Sequence, residues 1–212
     1  VIREQVAAAA RRLAAEGLLV GTAGNVSARD GDRVAVTGTG VVLGDCTAGD
    51  VTVVSLDGRV LDGALLPTSE LDLHLGVYAA TDAAAVVHTH APYSTAVACV
   101  LDELPVLHYQ QLLLGGAVPV APYATFGTPE LARAVVAGLA GRPAVLMANH
   151  GSVAIGATLD KAVEHALLLE WLATLHHRAS ALGAPRALTE EQQADVVTQA
   201  LNRSYGTTQE NA

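Results

Sequence analysis

Ala84-Ala85-Val86-Val87-His88-Thr89-His90 is an apolar run that ends in two imidazoles, and Ala144-Val145-Leu146-Met147-Ala148-Asn149-His150 repeats the design later in the chain. Short apolar runs without helical periodicity read as strands buried on both faces. Their polar ends are then expected to meet at one site. Alternate residues of a strand project from the same face, so His88 and His90 can point at a single ion. Neutral imidazole ligates zinc, and a catalytic zinc centre has three protein ligands and one open position. His150 ends the second run and is followed by Gly151, where the chain can turn sharply, so it offers the third ligand. A lone histidine is better read as a core or surface residue satisfied by a hydrogen bond. The His-Thr-His pair and the Asn-His-Gly stretch together favour a metal.

Outward from these strands, residues 3–16 are rich in helix formers and stop at Gly17. Val- and Thr-rich runs at 25–29 (NVSAR), 33–37 (RVAVT) and 50–56 (DVTVVSL) read as strands broken by turns. Helices are predicted over 70–80, 131–140, 159–180 and 190–203. Their start signals are Ser69 with Asp72 as a capping box, Thr128-Pro129, Thr158, and Thr189 with Gln192. Strands and helices alternate without a repeat or long linker, which predicts a single α/β domain over 1–212 with helices covering a sheet.

A chain of 212 residues can bury one sizeable core. Its net charge of −9 offers no attractive field to nucleic acid or to an anionic membrane. A phosphorylated ligand would be held by local groups. Cys46 and Cys99 lie far apart with no C-x-x-C spacing, so neither a thiolate zinc site nor a disulfide framework is encoded, and a reduced, cytoplasmic setting is expected. The alanine-rich start carries Arg3, Glu4, Arg11, Arg12 and Glu16, unlike a signal peptide. No run reaches the roughly 18 uncharged apolar residues of a membrane span. A soluble protein is the expectation.

Glu70 opens a predicted helix, where a carboxylate can ligate a metal, act as a base, or simply favour the helix dipole. Thr68 and Ser69 put hydroxyls and backbone N–H groups at the same helix start, a favourable place for phosphate. Gly21-Thr22-Ala23-Gly24-Asn25 and Thr37-Gly38-Thr39-Gly40 are two small-residue loops that let backbone amides approach an anion, although such loops are mostly just turns. His74, His165, His176, His177, Tyr93, Tyr123 and Trp171 are read as packing or wall residues.

The motifs G-T-A-G-N-V-S (21–27), T-G-T-G (37–40), P-T-S-E (67–70), V-V-H-T-H-A (86–91), H-Y (108–109), A-P-Y-A-T-F-G-T (121–128) and N-H-G (149–151) resemble, in content and order, the fuculose-phosphate aldolase branch of the class II aldolase and adducin family. That resemblance implies a three-layer α/β/α fold with a mainly antiparallel central sheet. It implies a fourfold homotetramer with sites between subunits, and zinc on His88, His90 and His150; three imidazoles also accept manganese or cobalt. Glu70 falls on the catalytic base that can also touch the metal. Thr22, Asn25, Thr39, Gly40, Thr68 and Ser69 fall on a phosphate pocket. Tyr109 falls on a proton donor reaching a neighbouring subunit's site, Phe126 on the wall of that interface, and Tyr205 on a tail tyrosine that closes over the substrate.

The implied reaction is reversible aldol cleavage of a ketose 1-phosphate to dihydroxyacetone phosphate and a short aldehyde. P-T-S-E replaces the family's commoner P-S-S-E and keeps the hydroxyl. Gly38 stands where proline is usual, so a looser loop is expected. Rival readings are a phosphopentose epimerase, a sugar-phosphate dehydratase or decarboxylase, and an adducin-like scaffold. The stretch Leu107-His108-Tyr109-Gln110-Gln111 is unlike the epimerase branch, and retention of the three histidines with Glu70 opposes the scaffold.

Overall fold

The computed structural model describes residues 1–203; Tyr205 lies outside them. The chain runs through α1 (Ile2–Ala15), β1 (Asn25–Asp30), β2 (Arg33–Thr37), β3 (Val51–Ser55), β4 (Val60–Asp62), α2 (Leu71–Ala80), β5 (Ala85–Thr89), α3 (Pro92–Ala98), β6 (Glu103–Leu104), β7 (Val118–Ala121), α4 (Pro129–Gly138), β8 (Ala144–Met147), β9 (Gly151–Gly156), α5 (Leu159–Leu182) and α6 (Glu190–Asn202). The strands form one sheet in the order β4-β3-β2-β1-β5-β9-β8-β7-β6. Its neighbours are antiparallel except for β7 and β8, so the sheet is mainly antiparallel as expected.

Strand alternation sorts the core into two faces. Val26, Ala28, Ala85, Val87 and Ala154 pack with Val6, Ala10 and Leu13 of α1 and Ala162 and Ala166 of α5. The intervening residues Val86 and Val153 pack on the other face with Leu73 and Val77 of α2 and Leu131 and Val135 of α4. This is the three-layer α/β/α arrangement. A third cluster joins α3, β8 and the middle of α5 through Val97, Leu146, Leu169 and Leu172.

The buried faces follow from the sequence: Val6, Ala10 and Leu13 recur at helical spacing on α1. Thr128 and Thr158 cap α4 and α5 by accepting N–H groups three residues on, and Thr189 with Gln192 forms a capping box on α6. The box expected at Ser69 and Asp72 is not made. Glu70 is the N-cap of α2 without a side-chain cap, while Thr68 accepts the Glu70 N–H on its hydroxyl at 3.3 Å. The strand β9 escapes the sequence reading because its small residues, buried on both faces, carry no alternation. Trp171, expected to pack, is 47% exposed and stands edge-on to His108.

The α2 side of β1 breaks the apolar pattern. Asn25 and Ser27 project there, both buried, beneath His74 and Tyr78 of α2. Asn25 is the cross-strand partner of His88. The polar centre is therefore built into the sheet.

Candidate metal centre and pocket

His88 is fully buried on β5, and His90 follows just beyond the strand end. His150 reaches them from a different element than expected. It lies in the turn between β8 and β9, not at the end of a strand. The sharp reversal is made by Asn149 at φ 56°, a conformation asparagine tolerates, and the His150 N–H closes it on Met147 O at 3.1 Å. Gly151 serves another purpose: its hydrogen faces the Thr89 carbonyl, and a Cβ there would press on Thr89 O and lie 3.3 Å from His90 Cδ2.

The three rings form a nearly equilateral triangle, with centroids 4.7, 4.9 and 4.9 Å apart. Each offers one nitrogen, and these atoms lie within 4.8 Å of one another. His88 Nδ1 donates to Ser152 O at 2.9 Å, so its Nε2 faces inward, where it lies 2.9 Å from His90 Nε2. A carbonyl behind the ring that fixes the ligating nitrogen is the usual support of a metal-bound histidine. Glu70 closes the group, with Oε2 3.1 Å from His88 Nε2 and Oε1 3.5 Å from His150 Nε2. Glu70 Oε1 is buried with no hydrogen-bond partner. An orphaned carboxylate oxygen beside three convergent imidazoles fits a divalent cation.

The charges suit that fit. Burial would raise the Glu70 carboxyl, but the adjacent His88 ring, with the Asn25 amide and His150, holds it well below the usual carboxylate range. Burial, with the neighbouring rings, pushes His90 down to about 4 and lowers His150. At neutral pH these two rings keep their lone pairs, and Glu70 its charge.

Above the centre opens a cavity of about 320 Å³. Every residue expected at the phosphate pocket lines it: Thr22, Asn25, Thr39, Gly40, Thr68 and Ser69. Glu70, His90, His150, Tyr123 and Phe126 line it too. Thr39 N–H and Thr68 N–H are taken up by Leu66 O and Thr37 O, which shape the loops. Gly38 donates to Asp50 O at 2.8 Å, a bond that proline could not make, so the expected loosening is countered. Asn25 spends its side-chain NH2 on Glu70 Oε2 at 2.9 Å. Tyr109 is 54% exposed and lies outside this chain's own cavity lining.

The profile of the family described as Class II Aldolase and Adducin N-terminal domain matches residues 4–177. This chain belongs to that family. The chain is 37% identical to 5-deoxy-D-ribulose 1-phosphate aldolase of Bacillus thuringiensis serovar kurstaki over 90% of its length and 91% of the relative's. It is also 37% identical to 5-methylthioribulose-1-phosphate/5-deoxyribulose-1-phosphate aldolase of Rhodospirillum rubrum, over 92% of this chain and 89% of that one. An L-fuculose 1-phosphate aldolase structure superposes with a TM-score of 0.89 at 33% identity, covering 93% of this chain and 95% of the other.

Two features of this class II aldolase chain bear on its chemistry. Lys161 is its one lysine, and its Nζ pairs with Glu164 at the exposed start of α5, so no amine faces the cavity to form a Schiff base. No helix among the described residues is long and apolar enough to cross a membrane. Sequence reasoning read His74 as a packing residue and overlooked Ser27 and Tyr78, which with it form the buried polar group under Glu70. The signal was present: His74 stands four residues after Glu70, one helical turn on, and Ser27 shares the strand face of Asn25.

Proposed function

We propose that this chain catalyses the reversible, metal-dependent cleavage of a ketose 1-phosphate to dihydroxyacetone phosphate and a short aldehyde, with zinc on His88, His90 and His150. One observation carries the reading: a buried carboxylate with an unpaired oxygen stands beside three convergent imidazoles at the floor of a cavity whose rim is two small-residue loops and a helix start. The names of the two deoxyribulose-phosphate relatives and of the fuculose-phosphate structure support the substrate class.

In this reading the hydroxyls of Thr22, Thr39 and Ser69, with the Gly40 and Ser69 backbone, hold the phosphate. Asn25 and Thr68 act from beneath, one on the Glu70 carboxylate and one on its N–H. In the condensation direction Glu70 takes the proton from the carbon next to the carbonyl of dihydroxyacetone phosphate. The electron pair left on that carbon attacks the aldehyde carbon, and the new alkoxide takes a proton from Tyr109 of the neighbouring subunit in a homotetramer. Cleavage runs the same steps backwards. A divalent ion supplies positive charge beside the oxygen that becomes anionic during these steps. Phe126 and Tyr123 wall the aldehyde side, and Tyr205 is assigned to closing over it. A cytoplasmic setting completes the reading.

The test is to incubate metal-analysed protein with dihydroxyacetone phosphate and short aldehydes, before and after chelation. Chelator-sensitive ketose phosphate supports the reading. Bound metal with no condensation product, but with epimerisation, dehydration or decarboxylation of sugar phosphates, replaces it.

A further inference from the structure

Beneath Glu70 runs a row of buried polar groups, of which the reaction above gives a role to Asn25 alone. Asn25 Nδ2 lies 2.9 Å from Glu70 Oε2, and Asn25 Oδ1 lies 2.5 Å from His74 Nε2. His74 Nδ1 lies 2.7 Å from Ser27 Oγ, which lies 2.7 Å from Tyr78 Oη. Ser27 and His74 are fully buried, and Tyr78 and Asn25 are 3% and 4% exposed, so these groups satisfy one another.

Donor and acceptor capacity fixes the direction of every bond. An ionised carboxylate only accepts, so Asn25 presents its NH2 to Glu70 and its carbonyl to His74. The carbonyl also only accepts, so His74 carries its proton on Nε2. A neutral ring then has its lone pair on Nδ1, which takes the single proton of Ser27. Ser27 Oγ in turn accepts from Tyr78. Burial keeps the ring neutral, pushed down to about 3. All protons in the row point toward Glu70.

We propose that His74, as the Nε2–H tautomer, is a positioning residue that locks the Asn25 amide with its NH2 toward Glu70. It thereby commits Oε2 to hydrogen bonding and leaves Oε1 as the oxygen that exchanges a proton with substrate. The inference rests on Glu70 being the base of the proposed aldol reaction. Turning the amide over would set its carbonyl against the carboxylate, two acceptors with no proton between them. Among the described residues, His74 is the side chain that holds the Asn25 carbonyl in place. Oε1, by contrast, is buried without a partner.

The experiment uses metal-loaded protein labelled with 15N-histidine, together with C3-proton exchange of dihydroxyacetone phosphate in D2O without aldehyde. Long-range 1H–15N spectra are expected to show His74 as the Nε2–H tautomer. His74→Leu is expected to lower kcat for exchange by about 10- to 100-fold while KM moves by less than about twofold. His74→Gln, whose amide can still donate, recovers part of the loss. Should His74→Leu not fold, Ser27→Ala carries the test: freeing Nδ1 admits the other tautomer and lowers kcat several-fold. An Nδ1–H tautomer in the wild type, or undiminished exchange in the variants, overturns the proposal while leaving the aldolase reading intact. An Nε2–H tautomer in a wild type that exchanges no proton overturns the aldolase reading, and the role assigned to Oε1 with it.

Discussion

Asn25 and His88 are cross-strand partners on β1 and β5, and their side chains meet on one oxygen, Glu70 Oε2, at 2.9 and 3.1 Å. The sheet register therefore holds the carboxylate that the proposed reaction uses as a base. Asn25→Ala removes one of the three side chains, with His88 and His150, that offset the burial of Glu70, so its carboxyl rises. A base must be deprotonated, so the acid limb of the kcat profile is expected to move to higher pH. The same change strands the His74 Nε2–H, at a cost of about 1–3 kcal/mol in stability. A pH–rate series with urea melts checks both effects; an unmoved acid limb would mean that Asn25 does not tune Glu70.

How much of this was legible in the sequence depended on whether a residue's role is local. Helix starts at Thr128, Thr158 and Thr189 are decided within one turn of chain, and each is made as read. The His-Thr-His pair was readable because strand alternation is also local. The position of His150 was not, because Asn149 adopts a left-handed conformation that places the histidine in a turn. The row from Tyr78 to Glu70 joins α2 to β1, and such a pairing appears only once helix and sheet are packed. The central strand β9 was hidden for a similar reason, since burial on both faces erases the alternation that marks a half-exposed strand.

Metal occupancy is expected to be one ion per chain and to depend on each of His88, His90 and His150. An ion bound by the folded state at about 1,000 times its Kd adds about 4 kcal/mol. For a domain of this size that raises Tm on the order of 10 °C. Metal analysis and calorimetry of the wild type and of each His→Ala variant check this. A variant that keeps full occupancy removes its histidine from the ligand set.

Acid should destabilise the metal-free protein from near pH 6.5 downward. His74 and His90 are lowered to about 3 and about 4 from 6.5, so below pH 6.5 the unfolded chain binds protons that the folded chain refuses. Their contribution is fully present above pH 6.5 and is lost as pH falls toward the folded values. Each such histidine gives a slope of up to about 1.4 kcal/mol per pH unit. Glu70, also lowered, adds in the same direction below 4.5. Urea midpoints at pH 7, 6 and 5 are expected to fall in wild type and to fall less steeply in His74→Gln. Equal slopes would show that His74 does not carry this linkage.

Gly151 tests whether the spacing of β5 and β9 sets the metal geometry. A Cβ at Gly151 would press on the Thr89 carbonyl, one residue from each of His88 and His90, and would lie 3.3 Å from His90 Cδ2. Gly151→Ala must push β9 away at the pair Thr89–Ser152, whose neighbour is the Ser152 carbonyl that orients His88. The expected result is a loss of about 1–3 kcal/mol from overpacking and a metal affinity reduced by about 10- to 100-fold. Gly44→Ala is the control, because its Cβ would meet Ala14 Cβ at an ordinary 3.5 Å far from the centre. Chelator-competition titrations of both variants separate the effects. If Gly151→Ala loses stability yet binds metal as tightly as Gly44→Ala does, the strand spacing supports the fold without setting the ligand geometry.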